Sequence, residues 1–270
     1  MVRFPVLLLS FLFLLLGAQA QTTTAFPLGV THTLSSTVLN EKRIVNIYLP
    51  EGYTPAAPRT YPVIYLLDGG ATEDFIHIAG LTQFLTISRI MPPSIVVGIA
   101  NVDRKRDFTY PTRIMSDRQK YPTTGGSARF ISFLEKELQP FIRQQYKVND
   151  STTLIGQSLG GLLATEILLK QPGLFSNYVI VSPSLWWDAE SLLTEAADLL
   201  AKAPAKETHI FIAVGEEGDM MKDVASSLAA ALQETGKKHL FTHFSFLPKE
   251  NHLTILHNAV YRALQHFNKQ

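Results

Sequence analysis

Six short apolar runs constrain this chain most: PVIYLLD (62–68), SIVVGIA (94–100), TTLIGQ (152–157), YVIVS (178–182), HIFIAVG (209–215) and LFTHFSFL (240–247). A continuous apolar run of this length reads as a strand covered on both faces, the situation of a parallel sheet between layers of helices. The segments between them supply the helices. Residues 128–146, 159–170, 189–202, 222–235 and 253–267 carry apolar side chains at three- and four-residue spacing. Ahead of all these, residues 30–49 read as two strands joined at Asn40-Glu41, with Ile44, Val45, Ile47 and Leu49 set against polar partners. Strand and helix in alternation predict an α/β domain with a mostly parallel, doubly wound sheet and helices on both faces.

Composition removes several classes of function. None of the 270 residues is cysteine, which excludes disulfides, thiol nucleophiles, iron–sulfur clusters and thiolate zinc sites. Twenty-four basic residues against 23 acidic give a formal charge of +1, unlike the clustered positive charge of a nucleic-acid binder. Nothing in the sequence implies a metal or organic cofactor. Residues 1–20 read as an export signal: Arg3, the apolar stretch Val6–Leu16, then Ala18-Gln19-Ala20, predicting cleavage before Gln21. The stretch is too short to span a bilayer, so no membrane span is expected after cleavage. With no repeat or linker in the remainder, 21–270 is expected to form a single domain, exported to a periplasmic or extracellular location.

Between the run ending at Gln157 and the helical pattern from Leu159 stands Gly156-Gln157-Ser158-Leu159-Gly160-Gly161. Three fixed positions of the G-x-S-x-G type recur by chance in roughly one chain of this length in ten, so placement carries the weight. Here the serine falls on a strand–turn–helix junction, the context in which a sharp turn lifts a nucleophilic hydroxyl above the sheet edge. Gly156 and Gly160 would let strand and helix approach, with Gly161 extending the clearance. The helix start offers unpaired N–H groups to a developing oxyanion.

Such a serine needs a base, and the base an orienting acid, in the chain order Ser, Asp/Glu, His. Histidines 32 and 77 come too early; 209, 239 and 243 fall in strand patterns, and 257 and 266 in the last helix. His252 alone occupies the connection between the last strand and the last helix. The segment HLTILH is not H-E-x-x-H, because its histidines are five apart with no glutamate between them. The acid is expected after HIFIAVG, where Glu216, Glu217 and Asp219 compete; Glu217 is favoured, then Asp219, then Glu216.

With these residues placed, the chain resembles the putative-esterase branch of the α/β-hydrolase superfamily, which includes esterase D, the trilactone siderophore (enterochelin) esterases and the mycolyl transferases. Ordered blocks carry the resemblance from about Val30 to the end: YLLDGG (65–70), EDFIHIAG (73–80), IVVGIANVDRKRDFTYPT (95–112), GQSLGG (156–161), SPSLWW (182–187), VGEEGDMM (214–221) and KENH (249–252). The resemblance implies the α/β-hydrolase fold and a serine esterase with Ser158 as nucleophile and His252 as general base, then acid. It also implies an oxyanion hole of backbone N–H groups at Leu159 and at Gly69 or Gly70. Relatives place the acid where this chain has Gly218; a one-residue deletion brings Glu217 into register, and a Ser–His pair without an acid is the other arrangement.

Around the site, the segment Asn101–Asp107 reads as a loop at the carboxyl edge of the sheet. Arg106 is a candidate for an anion-binding rim, against an Arg106–Asp107 salt bridge within the loop. Trp186 and Trp187 are candidates for stacking on a planar substrate, against plain packing. The expected partner is a small-molecule ester, with siderophore trilactones, acylated sugars, feruloylated polysaccharides and simple acyl esters all open. Two other functions compete: an acyltransferase of the same fold, and a catalytically silent binding protein.

Overall fold

The computed structural model describes residues 22–269, so the expected export signal lies outside the described residues. Strands β1 (Val30–Ser36) and β2 (Glu41–Tyr48) form an antiparallel hairpin turned by Asn40, whose φ of +57° suits asparagine. Strand β2 also pairs antiparallel with β4 (Ile95–Ile99). From β4 onward every neighbouring pair is parallel, through β3 (Tyr61–Leu66), β5 (Val148–Gln157), β6 (Asn177–Val181), β7 (Thr208–Gly215) and β8 (Leu240–Leu247). The spatial order is β1-β2-β4-β3-β5-β6-β7-β8.

The apolar runs are covered on both faces, as continuous apolar sequence requires. Along β3, Val63 and Tyr65 enter one apolar layer while Ile64 and Leu66 enter the other; Leu154 and Ile155 divide in the same way on β5. The first layer packs under α4 (Ser127–Phe133), α5 (Gln139–Gln145), α6 (Leu159–Lys170), α8 (Ala196–Lys202) and α9 (Asp219–Glu234). The second lies under α1 (Phe75–Ile87) and α10 (Ile255–Phe267).

Several elements depart from expectation. The helix expected over 128–146 contains a π-helical turn, Leu134–Leu138, between α4 and α5. It falls just ahead of Pro140, which has no N–H to bond the carbonyl of residue 136. The helix expected over 189–202 is interrupted: Asp188, Ala189 and Glu190 take positive φ, then α7 (Ser191–Thr194) and α8 follow as separate pieces. The segment read as a loop at 101–107 contains a short helix, α2 (Arg104–Phe108), whose first turn is capped by the Asp103 side chain on the Arg106 N–H at 3.0 Å. Helices α1 and α3 (Met115–Lys120) were not anticipated. Among the described residues no helix is long and apolar enough to cross a membrane, and no group of three or more His, Asp or Glu is arranged to hold a metal.

Candidate active site

Ser158 sits at the junction of β5 and α6 with φ +59° and ψ −119°, a conformation that costs an L-residue free energy. The surroundings hold it there. Its N–H donates to Val181 O at 3.0 Å, and its carbonyl accepts from Leu162 N (2.9 Å) and Ser184 N (3.0 Å). A Cβ on Gly156 would come within 2.3 Å of Gly160 O, and one on Gly161 within 2.9 Å of Pro183. Within the GQSLGG turn these are the two positions where backbone approach forbids a side chain. Gly160, expected to be one of them, has ordinary clearance: a Cβ there would meet Asp68 at 3.4 Å.

The loop after β8 brings His252 to the same edge. Gln157 Nε2 donates to the His252 carbonyl, tying the histidine loop to the turn that carries Ser158. A second tie runs from Glu216 N to Glu250 O at 2.8 Å. The Nδ1 of His252 lies 2.5 Å from Glu217 Oε2. The other carboxylate oxygen of Glu217 accepts from Ser182 Oγ at 2.6 Å and from Gly215 N at 3.0 Å. Burial by itself would raise the Glu217 pKa; the bonds from His252, Ser182 and Gly215 outweigh it and hold the carboxyl below the usual glutamate range. An ionised carboxylate on Nδ1 fixes the imidazole tautomer and leaves Nε2 for a neighbour.

Neither of the other two acids bonds His252. Glu216 and the 92% exposed Asp219 both pair with Lys222, at 2.9 and 3.2 Å. Gly218 takes φ +86° at the start of α9, a position where an acidic side chain would be strained. The structure therefore brings one of the three candidate acids to His252, and it is Glu217. Ser182 and Ser184 escaped sequence reasoning, although both stand in the SPSLWW block. Ser184 Oγ lies 3.3 Å from Ser158 Oγ, the one hydrogen-bond partner of that hydroxyl among the described residues.

Two clefts meet at Ser158. One, of about 440 Å³, is lined by Ser158, Ser184, Trp186, Glu216, Glu217, Met221, Asn251 and His252. The other, of about 200 Å³, adds Arg104, Lys105, Tyr121 and Leu159 to Ser158 and Trp186. The two candidate tryptophans separate here. Trp186 is partly exposed and lines both clefts. Trp187 is 1% exposed, with Nε1 donating to Tyr110 O at 2.9 Å, so only an edge reaches the smaller cleft and its main role is packing.

Arg106 corrects the expected rim. Its guanidinium bonds Glu41 (2.7 and 3.0 Å) and Asp107 (2.7 Å), and buried Arg43 bonds the same two acids. This network fastens α2 to β2. The arginine at the cleft is Arg104, held by both Asp68 oxygens at 2.6 and 2.9 Å and by Gln157 O at 3.2 Å. Two helical positions separate the cleft residue Arg104 from the strut Arg106, a difference that local sequence could not distinguish.

The oxyanion donors also resolve. Leu159 N–H, at the first position of α6, has no acceptor among the described residues. Gly69 N–H donates to Ile99 O at 2.9 Å as part of the sheet edge and has nothing to spare. Gly70 N–H donates to Glu73 Oε2 at 2.7 Å.

The family model described as "Putative esterase" matches residues 36–254. The ferri-bacillibactin esterase BesA of Bacillus subtilis is 32% identical, over 90% of this chain and 91% of its own. A crystal structure of an IroE-like serine hydrolase from Shewanella oneidensis superposes with a TM-score of 0.81 at 34% identity, covering 89% of this chain and 80% of that one. The BES protein from Bacillus cereus gives 0.80 at 27% identity, over 93% and 100%.

Proposed function

Because the chain belongs to the Putative esterase family, we propose that it cleaves the ring esters of a trilactone siderophore, with Ser158 as nucleophile, His252 as general base and then acid, and Glu217 orienting His252. The chain is a serine hydrolase of carboxylic esters with the α/β-hydrolase fold. One observation carries the substrate reading: Ser158 stands where a larger open cleft meets a smaller one lined by Arg104, Lys105, Tyr121 and Trp186. Cations beside aromatic faces suit an anionic aromatic arm, while the larger cleft has room for the rest of the ring.

In this mechanism Ser158 Oγ adds to the ester carbonyl as its proton passes to His252 Nε2. The carbonyl oxygen becomes an oxyanion that takes the Leu159 N–H. Collapse breaks the C–O bond, and His252 returns the proton to the leaving alcohol. Water, deprotonated by the same imidazole, then attacks the acyl-enzyme and releases the acid and Ser158. Through each half, Glu217 stabilises the imidazolium without taking its proton.

The test is chromatography of products from a catecholate trilactone, iron-loaded and iron-free. Stepwise opening to linear esters and then monomers is expected, and none with Ser158→Ala. An intact trilactone alongside rapid cleavage of acylated sugars or simple acyl esters would overturn the substrate assignment.

We further propose that residues 1–20 direct export and are removed. The support is Arg3, the apolar run 6–16 and the small residues Ala18 and Ala20. Amino-terminal sequencing of protein recovered from producing cells is expected to begin at Gln21; an intact Met1 refutes it.

A further inference from the structure

Of the two glycines after β3 expected to supply the second oxyanion donor, each has its N–H occupied. Gly69 N–H is spent on Ile99 O, which leaves Gly70 N–H. Against it lies the Glu73 carboxylate, with Oε2 at 2.7 Å from the nitrogen. The fit is close: a Cβ on Gly70 would meet Glu73 Oε2 at 2.6 Å. The carboxylate is gripped at its far end as well. Its Oε1 accepts from Asn101 Nδ2 at 2.7 Å, and the same amide donates to Asp68 Oδ1 at 2.6 Å. Glu73 N closes the turn on Gly70 O at 3.0 Å.

A charge-assisted bond of this kind is about twice as strong as one between neutral groups. The Gly70 N–H cannot point at Glu73 and at an oxyanion together, and the two anions repel. The local field already disfavours added negative charge. Burial, with Asp68 and Glu73 nearby, pushes the Asp74 carboxyl up to about 6 even though Arg104 opposes the shift.

We propose that Glu73 is a positioning residue for ester hydrolysis: its carboxylate caps the Gly70 N–H at rest, and it turns away before Gly70 can join Leu159 as the second oxyanion donor. Glu73 thereby sets the fraction of enzyme whose oxyanion hole has two donors. Glu73 is exposed on its loop, so the side chain has solvent to turn into. This rests on the assignment of Ser158 as nucleophile.

The test compares wild type, Glu73→Gln and Glu73→Ala in full-length mature protein, with two readouts. One is kcat and KM on an activated phenyl ester. The other is affinity for a trifluoromethyl ketone, which forms a tetrahedral adduct bearing an oxyanion. Freeing the donor is expected to raise kcat by about tenfold in Glu73→Ala with KM nearly unchanged, and to tighten the ketone by a similar factor. Glu73→Gln, a neutral and weaker competitor, is expected to fall between and serves if the alanine variant folds poorly. Unchanged kcat and ketone affinity in both variants would overturn the proposal, because Glu73 would not limit the hole. A fall in both readouts would overturn it too, by making Glu73 a strut for the loop. Ser158→Ala, assayed beside them, separates the two readings: activity in that variant sinks the nucleophile assignment, whatever the Glu73 variants do.

Discussion

Replacing Ser158 by alanine is expected to lower kcat for ester hydrolysis by roughly 10⁴–10⁶-fold, and His252→Ala by a similar factor. The two losses should not multiply. In a unit where serine attacks only as histidine takes its proton, removing either partner removes the same transition state. What survives comes from binding and from the Leu159 N–H, which needs neither side chain. Both variants should remain folded. Ser158 holds its turn through backbone bonds to Val181, Leu162 and Ser184 that alanine keeps, and losing a hydroxyl that borders two open clefts leaves no buried cavity. His252 is 40% exposed at the side chain. The measurement is steady-state kinetics with circular dichroism on the same samples. A His252→Ala enzyme with near-normal kcat would falsify its role as base.

Substitution of Glu217 by glutamine is expected to reduce kcat by roughly 10³–10⁴-fold, whereas Asp219→Asn and Glu216→Gln stay within about twofold of wild type. The carboxylate of Glu217 is 3% exposed and meets His252 Nδ1 at 2.5 Å, so little water can substitute for it. Glutamine is isosteric but neutral. It cannot balance the imidazolium, and its amide can present a donor to Nδ1, favouring the wrong tautomer. Glu216 and Asp219 make solvent-exposed pairs with Lys222, the kind of ion pair that contributes little. Three single-variant rates decide the ranking; a larger loss at Asp219 than at Glu217 would reverse the assignment.

How much of the fold could be read beforehand depended on where its signal was local. The strands carried theirs in continuous apolar runs, and each of the six recovers a strand within a few residues. Helix α6 was bounded by the GQSLGG turn and its own periodicity. Helix α1 was missed because its apolar residues do not keep to one face: Ile76, Phe84 and Ile87 are more than half exposed while Phe75, Ile78 and Leu85 are buried. The break near Glu190 was missed for a different reason. Residues 189–202 have helical spacing throughout, but Asp188 is anchored by Thr112 Oγ1 (2.9 Å) and Arg113 N (2.5 Å), contacts made 76 and 75 residues away in sequence. Tertiary bonding overrides periodicity there.

The candidate site divides along the same line. The turn that carries Ser158 and the loop that carries His252 were legible because each is defined by its own flanks: the end of an apolar strand for one, the gap between last strand and last helix for the other. The sequence by itself determined the alternation of strand and helix, the serine turn and the histidine loop, since hydrophobic periodicity and glycine placement are local properties. Only the tertiary structure decided which acid meets His252, that Arg104 rather than Arg106 faces the cleft, and that Glu73 covers the Gly70 N–H. Those outcomes turn on strand register and loop angle, which bring together atoms distant along the chain, and a change of one residue in either re-aims a side chain by a large angle.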